Sequence, residues 1–66
     1  MYFVIQFERD GGIFERAEFD NYDEAWDWFI FLRMCYRRFS LRTDLCVLTD
    51  EEGTWLHTLG RNGELD

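Results

Sequence analysis

The chain has 66 residues, with fourteen Asp and Glu against seven basic residues, all Arg, and a net charge of −7. A domain this short buries only about 60% of the surface its unfolded form exposes, and the visible compensation for so marginal a core is aromatic: three Trp, three Tyr and seven Phe, each able to bury roughly 150–250 Å². The acidity disfavours direct binding to a nucleic-acid backbone, the longest uncharged apolar-rich run, Trp28 to Leu32, is far short of the ~20 residues of a membrane span, and the start Met1-Tyr2-Phe3-Val4 has no basic leader, so a single cytosolic domain over residues 1–66 is expected.

Tyr2 to Arg9 reads as a first strand, with Phe3, Ile5 and Phe7 at alternate positions on one face. Asp10-Gly11-Gly12 then predicts a three-residue hairpin loop, with Gly12 at the left-handed position and a second strand after it. In that register Arg9 faces Ile13, Phe7 faces Glu15, Ile5 faces Ala17 and Phe3 faces Phe19. The mostly apolar face of the pair is assigned to the core. Its reverse carries Val4, Gln6, Glu8, Phe14, Arg16 and Glu18.

Asn21-Tyr22-Asp23-Glu24 has the pattern of a capping box, in which Asn21 accepts from first-turn amides and Glu24 reaches back to the cap. The absence of Gly and Pro from Tyr22 to Phe39 predicts about five turns of helix, to near Ser40. Early acids (Asp23, Glu24, Asp27) and late bases (Arg33, Arg37, Arg38) suit the helix dipole. Wound at 100° per residue, Tyr22, Ala25, Phe29, Leu32, Tyr36 and Phe39 form one stripe, with Trp28 and Cys35 at its edge. That stripe covers the sheet. Phe3, Ile5, Ala17, Phe19, Ala25, Phe29, Leu32 and Tyr36 are the expected core.

Asp44 to Thr49 and Thr54 to Leu59 are two further strands, and Asp50-Glu51-Glu52-Gly53 suits a type I turn closed by a glycine bulge. Residues 60–66 read as a loose tail. The expected fold is therefore α+β: a two-layer ββαββ domain, with a four-stranded antiparallel sheet and one helix packed on one face.

The surplus of large apolar residues is assigned to the opposite side of the helix, where Trp26, Ile30 and Met34 stand in line at i, i+4 and i+8, with Phe31 beside them. A surface helix of a two-layer domain is polar outside, so a line of this kind points to another chain covering it. Trp, Met and Arg are also enriched at interface centres.

No catalytic constellation is apparent. His57 stands alone, and Cys46, Glu51 and Glu52 have no metal-ligand spacing to it. A Cys46–His57 nucleophile pair would lack an orienting third group, and the two cysteines make no disulfide framework. Paired acids such as Asp23/Glu24 and Asp50/Glu51/Glu52 sit on turns and helix starts, where they are solvated, and no phosphate-binding glycine motif is present. No cofactor or metal is expected.

Charge is unevenly spread: −6 over residues 1–30, +4 over 31–42 and −5 over 43–66. Acids on a rigid scaffold complement a basic groove and speed association with it, which points to a protein partner with a basic surface. Asp50, Glu51 and Glu52, at a hairpin tip, are the acids expected to meet it; Trp26, Ile30, Phe31 and Met34 complete the predicted binding surface. In size, and in acidic segments such as Glu15-Arg16-Ala17-Glu18-Phe19-Asp20 and Asp50-Glu51-Glu52, the chain resembles the small inhibitors that phages encode against bacterial defence, of the anti-CRISPR and anti-restriction type. That resemblance implies a blocker acting in a host cytoplasm, some of its kind being DNA mimics. The alternative is a homodimer or higher oligomer that self-associates through the outer helix face.

Overall fold

The structure is a computed structural model that describes residues 1–38, 43–60 and 64–65. Its elements run β1 (Tyr2–Glu8), β2 (Ile13–Phe19), α1 (Tyr22–Arg38), β3 (Thr43–Thr49) and β4 (Trp55–Gly60). The four strands form one antiparallel sheet in the order β2-β1-β3-β4, and α1 lies on one face of it. This is the expected ββαββ, two-layer α+β fold.

Local chemistry explains the turns. In the first hairpin the N–H of Gly11 donates to the Glu8 carbonyl at 2.9 Å and that of Glu8 to the Gly12 carbonyl at 2.7 Å. The left-handed residue is Gly11, with φ +93°, so the loop sits one residue earlier than the expected Asp10-Gly11-Gly12. In the second hairpin Gly53 is left-handed, with φ +86°, as the type I turn with a glycine bulge requires. The Asp50 carboxylate accepts from the N–H groups of Glu52 and Thr54, both at 2.9 Å. At the helix start, the Asn21 side-chain oxygen accepts the Glu24 N–H at 2.9 Å. The Glu24 carboxylate accepts in turn from the Asn21 side-chain amide at 2.8 Å, where a standard capping box would use the backbone.

The register of the first hairpin differs from the expected one. Phe7 pairs with Ile13, but Gln6 pairs with Glu15, so Phe14 is an extra residue that shifts the ladder by one. From there Ile5 meets Arg16 and Phe3 meets Glu18, while Val4 meets Ala17 and Tyr2 meets Phe19. A one-residue slip exchanges the faces of a strand. Ala17 and Phe19 therefore share their face with Val4 and Tyr2, and Phe3 and Ile5 lie on the other.

The helix covers the face of Tyr2 and Val4. The core cluster is Val4, Ala25, Phe29, Leu32, Cys46, Leu48 and Leu59, with Tyr2, Phe19, Tyr22, Trp26, Trp28 and Ile30 packed around it. Ala25, Phe29, Leu32 and Phe19 take their expected places. Phe3 and Ile5 do not, because the bulge separates them from Ala17 and Phe19. The side chain of Tyr36 and the residue Phe39 lie outside the described residues. Gln6, also on the covered face, is buried, and its side-chain amide donates to the Glu15 carboxylate at 2.8 Å. Of the expected tail, Glu64 and Leu65 return to β4: the Gly60 N–H donates to the Glu64 carbonyl at 2.8 Å, and Leu65 bridges Leu59. Among the described residues no helix is long and apolar enough to cross a membrane.

Candidate functional site

A single helix is about 10–12 Å across, whereas four strands at ~4.8 Å spacing span about 19 Å. The strands outside the helix footprint must be covered by long side chains reaching down from its flanks. Trp26 is one of them. Its ring stacks on Tyr22 at 6.1 Å, lies 5.8 Å from Phe29 and comes within 4.8 Å of the His57 ring on β4. Ile30 also packs against the core.

The expected outer line of Trp26, Ile30 and Met34 is thus divided. Trp26 and Ile30 turn to the sheet, while Phe31 and Met34 are about half exposed, the Phe31 ring stacked on Trp28 at 5.4 Å. The 100° spacing places Trp26 at the margin of the core stripe, and the width of the sheet pulls it in.

The second predicted group also divides. Asp50 organises its turn, its carboxylate accepting from the N–H groups of Glu52 and Thr54. Glu51 and Glu52 project from the tip and are exposed. Because Tyr2 pairs with Phe19 and Phe3 with Thr49, the β2–α1 connection and the β3–β4 turn leave the sheet at the same end. Asp20, Asp23 and Glu24 are thereby gathered at one end of the molecule with Asp50, Glu51 and Glu52. Arg16, the basic residue nearest in sequence to this end, is engaged with Glu18 at 3.5 Å. Helix polarity places Arg33 towards the opposite end. The molecule has an acidic end.

His57 and Cys46 are both committed to the packing of the fold. His57 Nε2 shares a 2.8 Å hydrogen bond with the Tyr22 hydroxyl, inside the ring cluster of Tyr22, Trp26 and Phe29. The Cys46 thiol is pushed up to about 12 by burial, with the Glu15 carboxylate adding to the shift. It is protonated at neutral pH and unsuited to attack as a thiolate. Cys35 and Cys46 are both free thiols. Among the described residues no group of three or more His, Cys, Asp or Glu could hold a metal ion.

The feature that sequence reasoning missed is the sheet face turned away from the helix. Phe3, Ile5 and Phe7 lie there, beside Val47 of β3 and Trp55 of β4. The Phe7 and Trp55 rings approach to 6.3 Å across β3, and the Arg16 guanidinium sits 4.2 Å above the Phe3 ring. One signal was available: Leu45-Cys46-Val47-Leu48 is an unbroken apolar run, the mark of a strand with apolar neighbours on both faces.

No family model, curated protein or solved structure matches this chain.

Proposed function

We propose that this is a binding protein without catalytic chemistry, whose acidic end occupies a basic site on another protein and blocks it. The observation that supports this reading is the gathering of carboxylates from two distant segments at one end of a rigid sheet. Asp20, Asp23, Glu51 and Glu52 are exposed there. Exposed acids in such an array raise the rate of encounter with a positive groove and compete with a polyanion for it. The partner class is a nucleic-acid-handling protein, with the enzymes of bacterial defence included.

The test is capture of the partner from the native cell, followed by association kinetics at low and high salt. Wild-type association should slow as salt rises, because charges beyond a Debye length of ~10 Å at 0.1 M are screened. Glu51→Gln with Glu52→Gln should lower the association rate more than it raises dissociation, and the wild-type chain should displace nucleic acid from the partner. Association indifferent both to salt and to the double substitution would overturn the reading.

A further inference from the structure

We infer that the free edge of β2 pairs with the β2 edge of a second copy of this chain, antiparallel about a two-fold axis through Ala17, so that the two sheets become one. β2 is the end strand of the order β2-β1-β3-β4. The opposite edge is treated differently: the Gly60 N–H donates to the Glu64 carbonyl and Leu65 bridges Leu59, so the chain's own later residues line β4. Among the described residues no segment lines β2 in the same way. A sheet edge presents a row of N–H and C=O groups that another strand can complete.

The residues of the edge select the occupant. Charged side chains and bulges ordinarily blunt such a strand, but the bulge at Phe14 leaves Glu15 to Phe19 in regular register with β1, and the charges there are of both signs. A two-fold axis normal to the sheet must set each residue opposite one whose side chain shares its face, so the axis passes through a residue of β2. Centred on Glu15, Arg16 or Glu18, the pairing sets a charge against its own copy. Centred on Phe19, it sets Glu18 against Asp20 of the second copy. Centred on Ala17, it sets Arg16 of each copy against Glu18 of the other, with a small uncharged residue on the axis. Opposite charges directly across an antiparallel pair stabilise it and like charges destabilise it. A foreign strand of one sign satisfies one of Arg16 and Glu18 and opposes the other, whereas this strand read backwards satisfies both.

The surroundings of the edge agree with this pairing. Arg16 and Glu18 lie 3.5 Å apart within one chain, both about half exposed, so the dimer assembles a neutral group of four charges alternating in sign. The Arg16 guanidinium also rests 4.2 Å over the Phe3 ring, and its several donors serve both carboxylates. The helix stays clear of the edge: the buried cluster draws on Val4 of β1, Cys46 and Leu48 of β3 and Leu59 of β4, with no residue from β2, and Ala17 is only partly buried. Glu51 and Glu52, on the turn between β3 and β4, are at the far side of the sheet from β2 and stay open. Two short edge strands make a small contact, in the range of weak encounters below ~1,200 Å². The dimer is accordingly one that dissociates on dilution.

Light scattering and sedimentation of the whole chain over a range of concentrations test this. Wild type should move from a monomer when dilute to twice that mass when concentrated. Arg16→Glu sets acid against acid and Glu18→Arg sets base against base, so each alone should raise the dimer midpoint about tenfold or more in concentration, because the contact occurs twice across the axis. Circular dichroism should be unchanged, both positions being exposed. Mixed in equal amounts, the two variants should associate at least as readily as wild type, since every reversed charge then meets its opposite. A further measurement needs no substitution: amide hydrogen exchange over residues 15–19 should slow several-fold between dilute and concentrated wild type. A wild-type monomer at every soluble concentration overturns the inference and leaves the edge to a foreign strand. So does a dimer indifferent to both reversals, a mixture no more associated than its parts, or exchange over residues 15–19 that does not vary with concentration. None of these outcomes touches Glu51 or Glu52, so the acidic-end reading stands or falls separately.

Discussion

Val4 and Val47 are both fully buried, but only Val4 lies beneath the helix. Val4 belongs to the buried cluster that also contains Ala25, Phe29 and Leu32 of α1. Val47 is on the opposite face, outside that cluster, where the diagonal approach of Phe7 and Trp55 across β3 passes over its position between Leu45 and Thr49. Burial in one case is completed by a second layer of the fold; in the other it is provided by neighbours in the same sheet, whose own rings remain partly in water. Low exposure of a sheet residue therefore does not show that its face is finished. What distinguishes the two faces is the fate of the aromatic rings that do the covering.

The largest expected effect belongs to the covered face. Phe29→Ala should cost about 3–5 kcal/mol in urea denaturation, as for other fully buried aromatics, whereas Phe3→Ala on the open face, measured in dilute protein, should cost less than about 2 kcal/mol. Equal losses would break the contrast between the faces. Alkaline pH probes the same side through Cys46. Its thiol ionises near its ordinary value of 9.0 when unfolded and is pushed up to about 12 in the fold. The fold thus favours the protonated form, and the associated stability is complete below about pH 9 and lost as the pH rises towards 12, at up to about 1.4 kcal/mol per pH unit. Denaturation of Cys46→Ala across that window should show a shallower decline than wild type.

Smaller effects sharpen the division within the helix and within the hairpin tip. Trp26→Ala should destabilise by about 2–3 kcal/mol, because the ring packs on Phe29 and His57, while Phe31→Ala should cost under about 1 kcal/mol. A reversal would restore the sequence-based assignment of Trp26 to the outer face. Asp50→Ala leaves two turn amides without their acceptor and should cost about 1 kcal/mol. Glu51→Gln with Glu52→Gln should stay within about 0.5 kcal/mol by thermal melting, since those side chains serve the surface and not the turn.

Element order, the helix start at Tyr22, the second hairpin turn and the Ala25, Phe29 and Leu32 part of the core were all readable from the residues. Each is governed by interactions within a few positions: Asn21 with Glu24, Asp50 with Gly53 and Thr54, and apolar side chains repeating at helical spacing. The acidic end was readable in part, as acid-rich segments, but their meeting depends on where the chain leaves the sheet. Three matters were decided by tertiary structure alone. The bulge at Phe14 separated Ala17 and Phe19 from Phe3 and Ile5, and a shift of one residue costs little locally while exchanging both faces of a strand. The choice of face for the helix was open because β1 and β3 are apolar on both sides, so that the alternatives differ by a balance of whole layers and not by any one residue. The direction of Trp26 followed from the mismatch between a helix about 10 Å wide and a sheet about 19 Å wide, a dimension that no local pattern in the sequence contains.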